Sequence, residues 1–253
     1  MLTYAHTILS HFRDTLRAGR VIEPPRCDGP GPRRDRGPLD LEERQAACQA
    51  VHVFIARGST EPYPGRQGAL ADAICAGVSG GCGYEDIQYP ATFENYCASA
   101  GAGVKNGIAQ LTAYAKRCPS AKLVLTGYSQ GGHVVGDILG GGGGNFQGCT
   151  QATTPALSAT SSPGNQIAAA LFFGDVRHTP NQSYNVGSAA KSASGIWPRT
   201  GSGLSALNAF SSKLRSWCDA GDPACASGND GQVHTGYFQK YVPEAAAWAK
   251  TKL

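Results

Sequence analysis

The chain has 253 residues, enough for one substantial core and a common length for a single α/β domain. Only 16% of residues are charged, 41% are hydrophobic and 34 are glycine, which describes a globular body with no apolar run long enough to span a membrane as a helix. The formal charge of +4 is concentrated at the start, where residues 1–37 hold seven Arg against four acidic residues; the remainder carries +1 and no basic stripe, which argues against nucleic acid or an anionic membrane surface as a partner.

Residues 1–37 differ from everything that follows. They lack the apolar core of a secretory signal, and Arg13, Arg17 and Arg20 suit a transit sequence or a basic tail. Pro24, Pro25, Pro30 and Pro32 with the Arg33-Arg34-Asp35-Arg36 run oppose an ordered continuation. A leader, a pro-region or a mis-assigned start in place of a signal peptide is expected there, with the folded body over residues 38–253. Residues 39–45 read as a short acidic helix.

The first core strand is expected over residues 51–56. It runs into Arg57-Gly58-Ser59-Thr60-Glu61-Pro62, a donor-rich loop at a strand's carboxyl end, where open α/β sheets put their sites. Ser59 and Thr60 would equally suit N-caps of the next helix, expected around residues 67–78. A strand near residues 86–89 follows. Val104, Ile108, Leu111 and Ala115 then mark an amphipathic helix over 101–116. Gly101, Gly103 and Gly107 do not form a dinucleotide fingerprint, because they open no tight turn after a strand.

Residues 121–137 hold the most informative pattern. The apolar, β-branched run Leu123-Val124-Leu125-Thr126 reads as a buried strand. It ends in Gly127-Tyr128-Ser129-Gln130-Gly131, a G-x-S-x-G sequence, and Val134, Val135, Ile138 and Leu139 follow at helical spacing. A serine on so sharp a strand-to-helix turn projects from the sheet's carboxyl edge, beside the amide of Gln130 and the positive end of the helix. Five consecutive glycines, 140–144, and a Ser/Thr/Pro/Gln-rich stretch to residue 163 read as a flexible surface loop. Residues 167–173 form the next buried strand, 176–212 look irregular, 213–217 are a last short strand, and 237–253 a closing helix. Strand and helix alternate throughout, which calls for a parallel sheet covered by helices on both faces.

An activated serine needs a base and an acid that orients it. Only His133, His178 and His234 follow Ser129. His133 rides the same helix and cannot fold back over the hydroxyl. His178 would have to pair with Asp175. His234 lies in a loop before the last helix and has the freedom required, with Asp222 upstream in Cys218-Asp219-Ala220-Gly221-Asp222-Pro223-Ala224-Cys225. Both pairs obey the chain order Ser, acid, His, but His178 follows the strand over 167–173 too closely to leave a separate acid upstream, which favours Asp222 with His234 over Asp175 with His178. Asp219 and Asp222 would otherwise be ordinary turn residues. Nine cysteines without C-x-x-C spacing fit oxidising export better than a reducing cytosol. Setting aside Cys27, eight remain for four bridges. Asn181-Gln182-Ser183 is a glycosylation sequon compatible with secretion.

From about Cys48 onward, some 200 residues, the chain resembles the cutinase and acetylxylan esterase family. The matching residues are Ala56-Arg57-Gly58-Ser59-Thr60-Glu61, the elbow around Ser129, and residues 218–225 leading to His234. The resemblance implies a small lidless α/β-hydrolase whose central parallel sheet of about five strands is flanked by helices on both faces. It implies a secreted enzyme of plant-polymer esters, with Ser129 as nucleophile, His234 as base, Asp222 as orienting acid, and Ser59 and Gln130 as oxyanion hole. It also implies a bridge between Cys48 and Cys118. A pairing of Cys218 with Cys225 would hold Asp222 in place; Cys75 with Cys82 and Cys97 with Cys149 complete the expected set. No metal or organic cofactor is called for, and a monomer acting on a polymeric or small ester is expected. The small, polar loop 226–233 favours acetylated xylan; Ser59 in the oxyanion loop looks more like the cutinase branch, acting on cutin or other aliphatic polyesters. A secreted wall-binding protein without activity, using Trp197 and Tyr184 to stack on sugars, is the alternative of another class.

Overall fold

The computed structural model describes residues 48–253 apart from residue 147, so the expectations for residues 1–37, 39–45 and Cys27 lie outside the described residues. Three apolar segments build the middle of the sheet: β1 (Val51–Ala56), β3 (Lys122–Tyr128) and β6 (Ile167–Phe173), joined by the shorter β2 (Cys82–Asp86), β7 (Asn185–Val186) and β8 (Leu214–Trp217). They form a six-stranded sheet in the order β2-β1-β3-β6-β8-β7, with every pair parallel. Continuous apolar runs suit strands covered on both faces.

Side chains alternate along each strand, so the sheet has two cores. Phe54, Leu123, Leu125 and Phe172 pack with Val104 and Leu111 of α2 (Tyr96–Arg117) and with Val134, Val135, Ile138 and Leu139 of α3 (Gln130–Gly140). Val53, Ile55, Val124, Leu171, Phe173 and Trp217 pack on the opposite face against Leu70 and Ile74 of α1 (Gly68–Cys75) and Ala245 and Ala249 of α6 (Tyr237–Lys250). Two smaller helices, α4 (Gly201–Asn208) and α5 (Gly231–Thr235), complete the α-helices among the described residues.

Register fixes what meets at the carboxyl edge. Ala56 lies beside Gly127, Tyr128 beside Phe173, and Phe173 beside Trp217. The segments that leave these four strands, beginning at Arg57, Ser129, Gly174 and Cys218, therefore open onto one crevice.

Several local expectations are corrected. The glycines at 140–144 are not a flexible loop: most of them enter β4 (Gly142–Phe146), which pairs antiparallel with β5 (Cys149–Thr154) and is tied to α2 by the Cys97–Cys149 bridge. The second strand is Cys82–Asp86, several residues earlier than expected, because Cys82 is bridged to Cys75 and pairs with Val51. The segment 176–212 contains β7 and α4. The long helix begins at Tyr96 rather than at residue 101. Cys218 is bridged to Cys225, and Cys48 and Cys118 are each disulfide-bonded.

Candidate active site

Ser129 stands between β3 and α3 with φ 55° and ψ −119°, a left-handed strained backbone that a tight strand-to-helix turn forces on its central residue. The turn closes only because Gly131 has no side chain: a Cβ there would collide with the Ala56 carbonyl. The Ser129 N–H donates to Phe173 O at 2.9 Å, which locks the elbow to β6. Gln130, as the first residue of α3, has a backbone N–H without an intrahelical acceptor, and the helix's positive end lies behind it. Its side chain is tied elsewhere, accepting from Ser99 Oγ and donating to Thr92 O, both at 3.1 Å.

The second donor loop follows β1, which is adjacent to β3. Arg57 is buried and fastens this loop to the neighbouring one: Nε donates to Glu61 O at 2.7 Å, and Nη2 to Tyr89 O at 2.8 Å and Pro90 O at 3.1 Å. Gly58 N–H donates to Glu61 Oε2 at 2.8 Å, and Thr60 N–H to Ala91 O at 2.7 Å. Between them Ser59 Oγ is buried with no partner among the described residues. A polar atom held this firmly yet unsatisfied is free to donate to a ligand.

Asp222 sits fully buried in the loop closed by Cys218–Cys225. Its Oδ1 accepts from Ala224 N at 2.6 Å and Cys225 N at 3.2 Å, its Oδ2 from Tyr237 Oη at 2.7 Å, and both oxygens lie 3.0 Å from His234 Nδ1. Burial alone would raise the carboxyl's pKa, but the His234 imidazole, the Tyr237 hydroxyl and the Ala224 amide outweigh it and hold the pKa below the ordinary value. An ionised carboxylate only accepts, so Nδ1 presents a proton to Asp222 and the ring's other nitrogen, Nε2, is turned away from the acid.

The His234 ring is fixed against both residues next to the elbow's hydrogen-bonded pair. Tyr128, which precedes Ser129, donates from Oη to His234 O at 3.0 Å and lies 5.0 Å from the imidazole, centroid to centroid. Gly174, which follows Phe173, has φ +55°, and a Cβ on it would stand 2.8 Å from Nδ1 of His234 and 2.9 Å from Oδ2 of Asp222. Among the described residues Ser129 Oγ and His234 form no direct hydrogen bond; such contacts commonly tighten only with substrate. A strained serine, an imidazole oriented through its Nδ1, a buried carboxylate and two donor loops are the parts needed for attack on an ester carbonyl.

Sequence reasoning missed Tyr128 as the plate under His234 and Tyr237 as the donor to Asp222. Both signals were in plain view: one is the second residue of G-x-S-x-G, the other lies three residues after the histidine. The competing pair is not assembled, because Asp175 Oδ1 accepts from Arg177 N and His178 Nε2 has no partner among the described residues. His133 belongs to a buried structural network. Its Nε2 lies 3.1 Å from Asp137 Oδ2 and its Nδ1 3.0 Å from Tyr96 Oη, while Asp137 Oδ1 accepts from Arg199 at 2.6 Å and Arg177 at 2.9 Å. Trp197 and Tyr184 are not free sugar platforms: Trp197 packs against Tyr96 and Phe146, and Tyr184 is buried. Among the described residues no three His, Cys, Asp or Glu side chains gather as a metal ion would need, and no helix is long and apolar enough to cross a membrane.

The family model described as Cutinase matches residues 47–253. The chain is 34% identical to acetylxylan esterase 2 of Talaromyces purpureogenus over 224 residues, covering 85% of this chain and 92% of that protein. It is 33% identical to cutinase 11 of Verticillium dahliae over 84% of this chain and 72% of that one. Among solved structures, the catalytic core domain of acetyl xylan esterase from Trichoderma reesei superposes with a TM-score of 0.70 at 32% identity, covering 81% of this chain and all of that domain (100%).

Proposed function

The chain belongs to the cutinase family and is a carboxylic ester hydrolase, and from that premise we propose that it is a secreted serine esterase that removes acetyl groups from acetylated xylan. The observation that carries the mechanism is the buried Asp222–His234 pair, held against Tyr128 and Gly174 on either side of the elbow that presents Ser129.

In this reading His234 Nε2 takes the Ser129 Oγ proton as Oγ bonds to the acyl carbon. The carbonyl oxygen becomes an oxyanion that accepts from the Gln130 N–H and from Ser59. The bond from the acyl carbon to the sugar oxygen then breaks, and the sugar hydroxyl leaves with the proton from His234. Water, deprotonated by the same imidazole, attacks the acetyl-enzyme, and acetate and free Ser129 result. Asp222 keeps Nδ1 protonated and stabilises the imidazolium in each half-reaction.

The acetyl preference is supported by the small, polar side chains of residues 226–233 and by the likeness to two acetylxylan esterases. Secretion is supported by the disulfides, eight cysteines of residues 48–225 being bonded. The test is hydrolysis of p-nitrophenyl esters from acetate to palmitate beside Ser129→Ala. A steep fall beyond acetate or butyrate, abolished by the substitution, is expected. A maximum at medium or long chains would replace xylan deacetylation by aliphatic polyester hydrolysis. Rates equal to those of Ser129→Ala would overturn the serine mechanism.

A further inference from the structure

One recess lies apart from Ser129. It is a cavity of about 530 Å³ at the outer edge of the sheet, between β8 and the end of α6, within the usual size of ligand clefts. Ser59, Ser129, Asp222 and His234 contribute nothing to its lining. It opens beside Ser211, Ser212, Leu214 and Arg215, at the amino end of β8, whereas the reaction site lies beyond that strand's carboxyl end.

We propose that this groove binds a uronate-bearing polysaccharide, anchoring the enzyme on its polymer away from the bond it cuts. The inference rests on the polysaccharide substrate proposed above. Its chemistry comes from a cation, an indole and a row of hydroxyls. Arg215 lines the groove; its Nη2 donates to Glu244 Oε1 at 3.3 Å and its guanidinium lies 5.7 Å from the Trp217 ring centroid. Its Nε has no partner among the described residues. Trp248 lines the same groove, with the Arg215 guanidinium 5.7 Å and the Lys252 ammonium 5.4 Å from its ring centroid.

The indole thus holds two cations at one wall, and a guanidinium with spare donors is matched by a carboxylate. Ser183, Ser211 and Ser212 line it beside Tyr184, Val186 and Leu214, offering short hydroxyls that suit the hydroxyls of a pyranose. A neutral sugar uses the hydroxyls but adds nothing to the guanidinium beyond its Glu244 contact; a free carboxylate does the reverse. A uronic acid within a glycan uses both.

The test is affinity electrophoresis of the Ser129→Ala protein in gels holding deacetylated glucuronoxylan or neutral arabinoxylan. Arg215→Gln and Ser212→Glu, the latter at an exposed position, are introduced into the same background. Retardation by glucuronoxylan should exceed that by arabinoxylan and weaken about tenfold in both variants, the scale of one charge-assisted hydrogen bond. With Ser129 restored, both variants should turn over p-nitrophenyl acetate at the parent rate, which reports an intact fold. Equal retardation by the two polymers, or retardation unchanged in the variants, would overturn the groove. Loss of small-ester turnover in the parent would instead strike at the esterase reading, so the two failures are distinct.

Discussion

Replacing Asp222 by Asn keeps the shape of the acid and removes what the geometry needs from it. Ala224 N and Cys225 N donate to Oδ1, so the amide oxygen of the asparagine will settle there. The new NH2 group then faces His234 Nδ1 and Tyr237 Oη at the position of Oδ2. Tyr237 can turn its hydroxyl to accept, but Nδ1 must now accept too, which moves the ring proton to Nε2 and leaves no lone pair for the Ser129 proton. A wrong tautomer in an otherwise intact serine triad costs about 10⁴ in kcat, or about 5.5 kcal/mol of barrier. Stability should fall by only about 2 kcal/mol, because charge-assisted hydrogen bonds become neutral ones. Steady-state hydrolysis of p-nitrophenyl acetate, with urea unfolding of the same samples, separates the two quantities. A folded Asp222→Asn protein that retains more than a tenth of the parent kcat would refute the assigned role.

Ser59→Ala removes a hydroxyl that has no partner among the described residues, so it should leave the unfolding midpoint unchanged while lowering kcat by about 10²–10³; an unaltered kcat would remove Ser59 from the oxyanion site. Gly131→Ala should yield little folded protein, because its Cβ runs into the backbone at the end of β1, and a soluble, active variant on expression and circular dichroism would contradict the packing of the elbow. Asp137→Asn leaves Arg177 and Arg199 without their carboxylate and should cost about 3–5 kcal/mol at pH 7. Burial would raise the Asp137 pKa, but His133 and the two guanidiniums hold it well below the ordinary value. Its ionic contribution is therefore complete above the unfolded value of about 3.9 and drains away as pH falls through the lower folded one. Urea unfolding at pH 7 and pH 3 should show the gap between parent and variant narrowing in acid, and a gap that widens would reverse the sign.

Much of the site was legible because a few local patterns leave little choice. The strand ends at Ala56 and Phe173 followed from apolar runs bounded by loop residues, and the elbow from a glycine pair around a serine between strand and helix. Asp222 and His234 could be paired from chain order and from the cysteines around the acid. The glycines at 140–144 misled because composition reports freedom of the unfolded chain, whereas β4 is held by its partner β5 and by the Cys97–Cys149 bridge, both remote in sequence. Likewise β7 is two residues long and owes its existence to β8. Trp197 looked available only because nothing local in sequence reveals Tyr96 and Phe146 across the core.

Every residue of α3, from Gln130 to Gly140, is buried. For directed evolution this means that the helix following Ser129 has no position at which a substitution avoids the core. Diversity aimed at new acyl groups belongs instead at exposed positions near His234, such as Asn229 and Gln232, which lie outside α3 and outside the buried contacts of the loop after β1.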